Sequence, residues 1–385
     1  MATARTEKDR RRLRRSAILA GVGDGVVATA LPLLAVDLTR DPLAIAAVVA
    51  AQHVPWVLVH LGWPRVRVDR RTLVGLVDTV RALMLGALGF LAVLGHETML
   101  WIQLTALVVG LGEALTDGTE SETTDVSGLS GRAMLAMGVV GLPLGGVLFE
   151  VFPAIPFLFE VLAFAAAALY ALLVGRPVRP PAREPVDDDE APHGPLPGTQ
   201  LVTASAAVAA LSAAATTGVL VLYAHDDLGL GAPAFGLLLA GLAACTAVGA
   251  LAATEIGGRI GVRPALVASL LLAATGHALA SQVADPDRPW FGVVALGVTA
   301  GAGMVAAVLA RAVLQLDARR PVTAAALRSF HLAVWTAIPI GALAGGWLAR
   351  RSSVHQVLLD AAVGWVVAAG LALLQPAKAA SQEIV

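Results

Sequence analysis

The sequence is almost without lysine, which occurs only as Lys8 and Lys378, near the two ends of the chain. A phosphate-binding loop ending in lysine therefore cannot be built, and ATP-driven pumping by this chain is excluded. Cysteine is scarcer still. Cys245 stands alone, so there is no disulfide framework, and no cysteine or histidine pair has the spacing of metal ligands. Charged residues make up 14% of the 385 residues against 57% apolar, too little polarity to cover a soluble surface. The 39 glycines show no triplet period and no Gly-x-Ser-x-Gly elbow appears, which removes collagen and the common hydrolase motif. What the chain does hold is alanine, glycine, valine and leucine, small side chains that suit helices packed closely in lipid. No cofactor is expected, and the basic residues mark topology rather than a nucleic-acid face.

A helix needs about 20 mostly apolar residues to cross the hydrocarbon core. Twelve runs meet that length. Six lie at 16–38, 43–63, 72–94, 98–116, 133–152 and 155–174, and six at 200–223, 233–254, 264–283, 290–313, 326–348 and 356–374. The proline-rich, highly charged stretch 175–199 reads as a linker. The expected organisation is a basic tail over 1–15, a six-helix bundle over 16–174, the linker, a second bundle over 200–374 and a tail over 375–385. The fold class is an all-α polytopic membrane protein.

Orientation follows from the 27 basic residues. With the amino terminus in the cytoplasm, 22 fall inside, and only Arg40, Arg288, Arg350 and Arg351 outside, with Arg81 within the third span. Both tails are expected in the cytoplasm. A cleaved secretory signal is the alternative for the first run. The run's length, its Asp24 and the eleven spans that follow favour a retained helix.

The two halves repeat one device. Gly141-Leu-Pro143-Leu-Gly145-Gly146 in the fifth run and Gly341-Ala-Leu-Ala-Gly345-Gly346 in the eleventh place three glycines at an offset of 200 residues. Glycines four apart let a neighbouring backbone come close. The loop after the second run, with Gly62, Arg67, Asp69, Arg70 and Arg71, has a counterpart after the eighth in Gly257 to Arg263. A duplicated six-helix unit in one orientation is the pattern of parallel-repeat transporters.

Taken in order, Gly23-Asp24-Gly25, Leu31-Pro32, Leu38 to Pro42, Val54-Pro55-Trp56, Val68 to Arg71, Asp78 with Arg81, Gly112 to Asp117 and the Gly141 cluster resemble a major facilitator superfamily transporter. The likeness is to the bacterial efflux branch related to enterobactin exporters and macrolide pumps, and it covers essentially the whole chain. It implies two pseudo-symmetric halves of six helices, proton-coupled antiport and a place in the bacterial cytoplasmic membrane. Two positions depart from the pattern. Counted from Gly62, the loop aspartate is replaced by Val66, and the segment from Gly118 to Arg132 is short and acidic. Both touch the gating contacts that the resemblance would assign to the inner face.

Ionisable groups at membrane depth are costly, so each is a functional candidate. Asp24 lies about 13 Å into the first run at 1.5 Å per residue, near the midplane where substrates bind. It is the leading candidate for proton coupling, and a carboxylate satisfied by backbone or hydroxyl groups is the bland alternative. Glu113 and Asp117, four apart on one face of the fourth run, can line an inner vestibule, although Asp117 also reads as a helix end in water. Asp78 and Arg81 read as a brace, paired with each other or with the 64–71 loop. Arg311 and Arg328 read as interface anchors or as a charge latch. His53 beside Trp56, His277 and His331 can relay a proton or sit as satisfied neutral groups. Glu150, Glu160 and Asp360 are expected at the outer interface, and Trp63, Trp101, Trp290 and Trp347 as interfacial anchors. Trp56 alone is placed as a cavity wall.

The function expected from these features is secondary transport: protonation of Asp24, with Glu113 as a second candidate, drives export of a lipophilic small molecule across the bilayer. With two tyrosines and nine phenylalanines in the whole chain, the cavity should be largely apolar. Uptake of a nutrient on the same fold, or a non-transporting scaffold or sensor, are the alternatives.

Overall fold

The computed structural model describes residues 2–62, 70–120, 133–172, 199–283, 287–317 and 324–375, and among these there is no strand. Their helices are α1 (Ala2–Leu38), α2 (Pro42–His60), α3 (Arg70–Leu94), α4 (Met99–Glu120), α5 (Ala133–Val151) and α6 (Ile155–Leu172), followed by α7 (Gln200–Asp227), α8 (Ala232–Ile260), α9 (Val262–Ala280), α10 (Pro289–Asp317), α11 (Ala324–Arg351) and α12 (Val354–Leu374). Among the described residues ten helices are long and apolar enough to cross a membrane, and α4 and α6 contribute apolar segments at Met99–Leu115 and Ile155–Ala166.

Local chemistry sets the boundaries. Asp41 caps α2, its carboxylate accepting from the Leu43 N–H at 3.2 Å, and Pro42 occupies the first turn, where a missing N–H costs nothing. Gly95, at φ +66°, ends α3. The His96 N–H reaches back to the Leu91 carbonyl at 3.0 Å, closing the last turn. Within α5, Met137–Gly141 is a π-helical turn directly ahead of Pro143. Proline cannot donate to the carbonyl four residues back, and a widened turn relieves the crowding its ring creates.

The basic tail from Ala2 is helical and continuous with α1, ahead of the apolar span from Arg14. One expected boundary moves. The connection expected over 255–263 shrinks to Gly261, because α8 runs on to Ile260 and α9 starts at Val262. An Arg259–Glu255 pair at 2.5 Å, one turn apart and exposed, carries α8 past its apolar stretch until Gly261, at φ +88°, stops it.

The chain divides into two compact units, one formed by Met1–Asp187 with Val221–Ala244, the other by Asp188–Leu220 with Cys245–Val385. In the first, α1 packs on α5 and α6, α2 on α4, and α3 on α4 and α6. The α1/α5 crossing is made by glycine. A methyl group on Gly141 would meet the Val22 carbonyl and Gly25, and one on Gly145 the Val26 carbonyl at 2.6 Å. Thr29 adds a hydrogen bond from its hydroxyl to the Leu142 carbonyl at 3.0 Å. Gly146 lies against the Ala232 carbonyl at the start of α8. In the second unit the same device recurs, with Gly341 on the Leu211 carbonyl and Gly345 on the Ala215 carbonyl of α7, and Gly346 is buried. The core there gathers Leu266, Leu270, Val305, Leu309, Val313 and Trp365 from α9, α10 and α12.

Candidate functional site

The first unit buries a cluster of charge. From α3, Arg81 extends past α4 at Gly112, where a methyl group would strike its side chain, and lays its guanidinium over the Phe164 ring of α6, 4.5 Å from the centroid. Its Nη2 donates to Asp24 Oδ1 of α1 at 2.5 Å. The Arg81 side chain is 5% exposed and that of Asp24 26%. A buried ion pair of this kind is a weak source of net stability but a costly one to break, since removing either member strands the other charge.

Around this pair stand three more carboxyl groups. Glu113 of α4 accepts from the Gln52 amide of α2 at 3.4 Å. Glu160 of α6 is buried, with 1% exposure, and its carboxylate occupies the space beside Gly23 that a side chain there would need. Asp78, one turn before Arg81, is half-buried. Glu113 and Glu160 join Asp24 in acting electrostatically on Arg81, while Asp78 is felt by both Arg81 and Glu160. Four carboxyl groups thus face one guanidinium. Two atoms in the cluster have no hydrogen-bond partner among the described residues, Arg81 Nε and Glu160 Oε2.

Asp24, Glu113, Asp78 and Arg81 are therefore brought together from three helices, and the partner of Arg81 is Asp24 rather than Asp78. Glu160, expected at the outer interface, is a correction: it lies inside the bundle against α1. Counting along α6 alone places it near a helix end, and only the packing of α6 on α1 and α3 reveals its burial. Gln52 was not singled out by the sequence. Its signal is the one amide side chain of α2, next to His53 in a largely apolar run.

Other candidates lie elsewhere. His53 is bonded to the Val49 carbonyl at 2.8 Å, one turn back on its own helix. Trp56 stacks on His60, centroids 6.4 Å apart. Asp117 belongs to α4 and Arg70 and Arg71 start α3, but their side chains lie outside the described residues, as do Trp63, Val66, Arg67, Asp69 and the stretch 121–132 altogether. Arg311 and Arg328 are exposed near the ends of α10 and α11. His277 is buried in the second unit, bonded to the Thr216 hydroxyl at 2.8 Å and flanked by Trp365. His331 packs beside Phe330. Trp101, Trp290 and Trp347 are exposed, and Arg351 covers the Trp347 ring at 4.3 Å. Among the described residues, no three histidine, cysteine or acidic side chains converge as a metal site.

The second unit also holds a cleft of about 470 Å³ between α7 and α11. Val208, Leu211, Leu332 and Ile340 make it apolar, with Ser329 and Thr336 the hydroxyls at its wall. Such a lining suits a lipophilic guest with few polar groups.

Helical throughout its described residues, the chain shares its fold, that of the major facilitator transporters, with solved structures of membrane transporters. Solved structures that it resembles include a bacterial homologue of the iron transporter ferroportin in an inward-facing state, at TM-score 0.75 and 14% identity over 96% of this chain and 98% of that one. A bacterial homologue of the human lysosomal transporter Spinster gives 0.70 and 13%, covering 94% and 95%. The nucleoside transporter NupG gives 0.62 and 14%, covering 94% and 97%. No family profile and no curated protein matches the chain.

Proposed function

We propose that the protein is a secondary transporter that exports a lipophilic small molecule in exchange for protons. The observation that carries this reading is the Asp24–Arg81 pair, buried on the arginine side and partly exposed on the aspartate side, among further carboxyl groups. In a bundle interior, four acids and one guanidinium hold more potential negative charge than the cation balances. Gain or loss of a proton there changes the cluster's charge by one, and the protein's preference between its outward- and inward-open forms changes with it. The apolar α7/α11 cleft favours a hydrophobic cargo over a sugar. The moving parts are the bundles 16–174 and 200–374, both tails lie in the cytoplasm, and the membrane is the bacterial cytoplasmic membrane. The basic residues of the loops support that orientation.

Everted membrane vesicles test this. Wild type should accumulate a lipophilic dye when the vesicle interior is acidified, and Asp24→Asn should abolish that accumulation while running as a folded monodisperse species. Normal proton-driven accumulation in the variant refutes the mechanism. Accumulation only under the opposite gradient turns the assignment to uptake.

A further inference from the structure

We infer that Glu160 carries the exchanged proton and that Arg81 is a guanidinium shared between Glu160 and Asp24. This rests on the proton-coupled reading above and deepens it by naming the carrier. Asp24 already has a cation, since Arg81 Nη2 donates to it at 2.5 Å. Glu160 is the more deeply buried carboxyl of the two, and its Oε2 meets no donor. An anion left so would forfeit its hydration without compensation, whereas a neutral acid tolerates that setting. The charged groups facing it are Asp24 from α1, Asp78 and Arg81 from α3 and Glu113 from α4. Glu150, on the adjoining α5, is exposed.

The second orphan supplies the other half of the device. Arg81 Nε is buried and donates to nothing among the described residues, although the same guanidinium is held at its Nη2 end by Asp24. When the Glu160 Oε2–H bond breaks, its proton passes to a water molecule as hydronium and the bonding electron pair stays on Oε2. The new carboxylate takes the idle Nε–H of Arg81. Asp24 then shares its cation with a second anion and is released toward a cationic or hydrogen-bonding part of the cargo. Protonation of Glu160 returns Arg81 to Asp24. Gly23 and Gly112 are the clearances that make the exchange sterically possible, because a side chain at Gly23 would occupy the place of the Glu160 carboxyl and one at Gly112 would obstruct the arginine.

Infrared difference spectroscopy of the purified full chain in lipid nanodiscs, between acidic and alkaline buffer, reads the carrier without any cargo. Wild type should show the C=O stretch of a buried carboxylic acid that disappears at alkaline pH, and Glu160→Gln should lose at least nine-tenths of that band, with Glu160→Asp as the variant to use if the glutamine form does not fold. In Asp24→Asn the band should weaken at a pH where wild type still shows it, because Arg81, freed from Asp24, turns to Glu160. A band that persists at full strength in Glu160→Gln, or at unchanged frequency in Glu160→Asp, overturns the assignment, as does an unchanged titration in Asp24→Asn. Ethidium accumulation in everted vesicles separates the two readings. If the band belongs to Glu160 but wild type moves no ethidium or other lipophilic dye with protons, the carrier stands and the export reading falls. Proton-driven accumulation with the band intact in Glu160→Gln leaves export standing and removes Glu160.

Discussion

Replacing Arg81 by methionine keeps most of the side chain's length and apolar stem but deletes the charge that Asp24 and its neighbours face. The guanidinium is almost wholly buried, and removing one member of a buried pair costs about 3–5 kcal/mol, chiefly because the other charge is stranded. Asp24 retains 26% side-chain exposure, so water screens part of that loss and the lower end applies, about 3 kcal/mol. Loss of the contact over Phe164, which is also buried, adds about 2 kcal/mol. At about 1.4 kcal/mol per factor of ten, the folded-to-unfolded ratio should fall by at least roughly a hundredfold. Adding Asp24→Asn removes the stranded carboxylate, so the double variant should recover at least half of the loss. The assay is reversible unfolding in detergent micelles, followed by intrinsic tryptophan fluorescence across a denaturant series for wild type, both single variants and the double. An Arg81→Met chain as stable as wild type, or a double variant that is no better than Arg81→Met alone, would refute the claim that the pair is electrostatically closed in the bundle.

Two further outcomes follow from the packing. Gly145→Ala places a methyl group 2.6 Å from the Val26 carbonyl and should destabilise by about 1–3 kcal/mol, whereas Gly241→Ala, with open space around it, should be neutral or stabilise by roughly 0.5–1 kcal/mol; equal thermal midpoints for the two variants would contradict the close α1/α5 crossing. His277→Leu leaves the Thr216 hydroxyl without its imidazole partner and should cost about 1–3 kcal/mol while dye export survives in membranes expressed to equal level. Export lost at unchanged stability would instead make His277 part of the coupling chemistry.

The helices were legible because each is a run of apolar residues bounded by charge, proline or glycine, and a chain of twelve apolar runs, ten of them of membrane length among the described residues, admits few folds. The glycine crossings were equally open to reading, since small residues four apart predict close backbones whichever helix supplies the partner. The charge cluster was legible only in part. Asp78 and Arg81 share a helix face, so local spacing suggests that they pair. The long arginine side chain clears Gly112, lies on Phe164 and reaches Asp24, and none of those contacts has a sequence signature. Glu160 was misplaced for a related reason. Depth in a membrane was counted along its own helix, whereas its burial depends on α1 and α3 lying beside it. The π turn ahead of Pro143 and the single-residue connection at Gly261 likewise depend on how backbone strain is relieved, which hydropathy does not record.

The glycine crossings also bring the two halves of the sequence into one register. Gly141 and Gly145 rest on Val22 and Val26, while Gly341 and Gly345 rest on Leu211 and Ala215, so the two crossings share one register, with the same four-residue step along α1 and α7. In that register the position of Asp24 is held in the other copy by Ala213. At this point one half of the sequence carries an ionisable group and the other a methyl. The repeat survives in how the backbones touch and is absent from the chemistry at this one point.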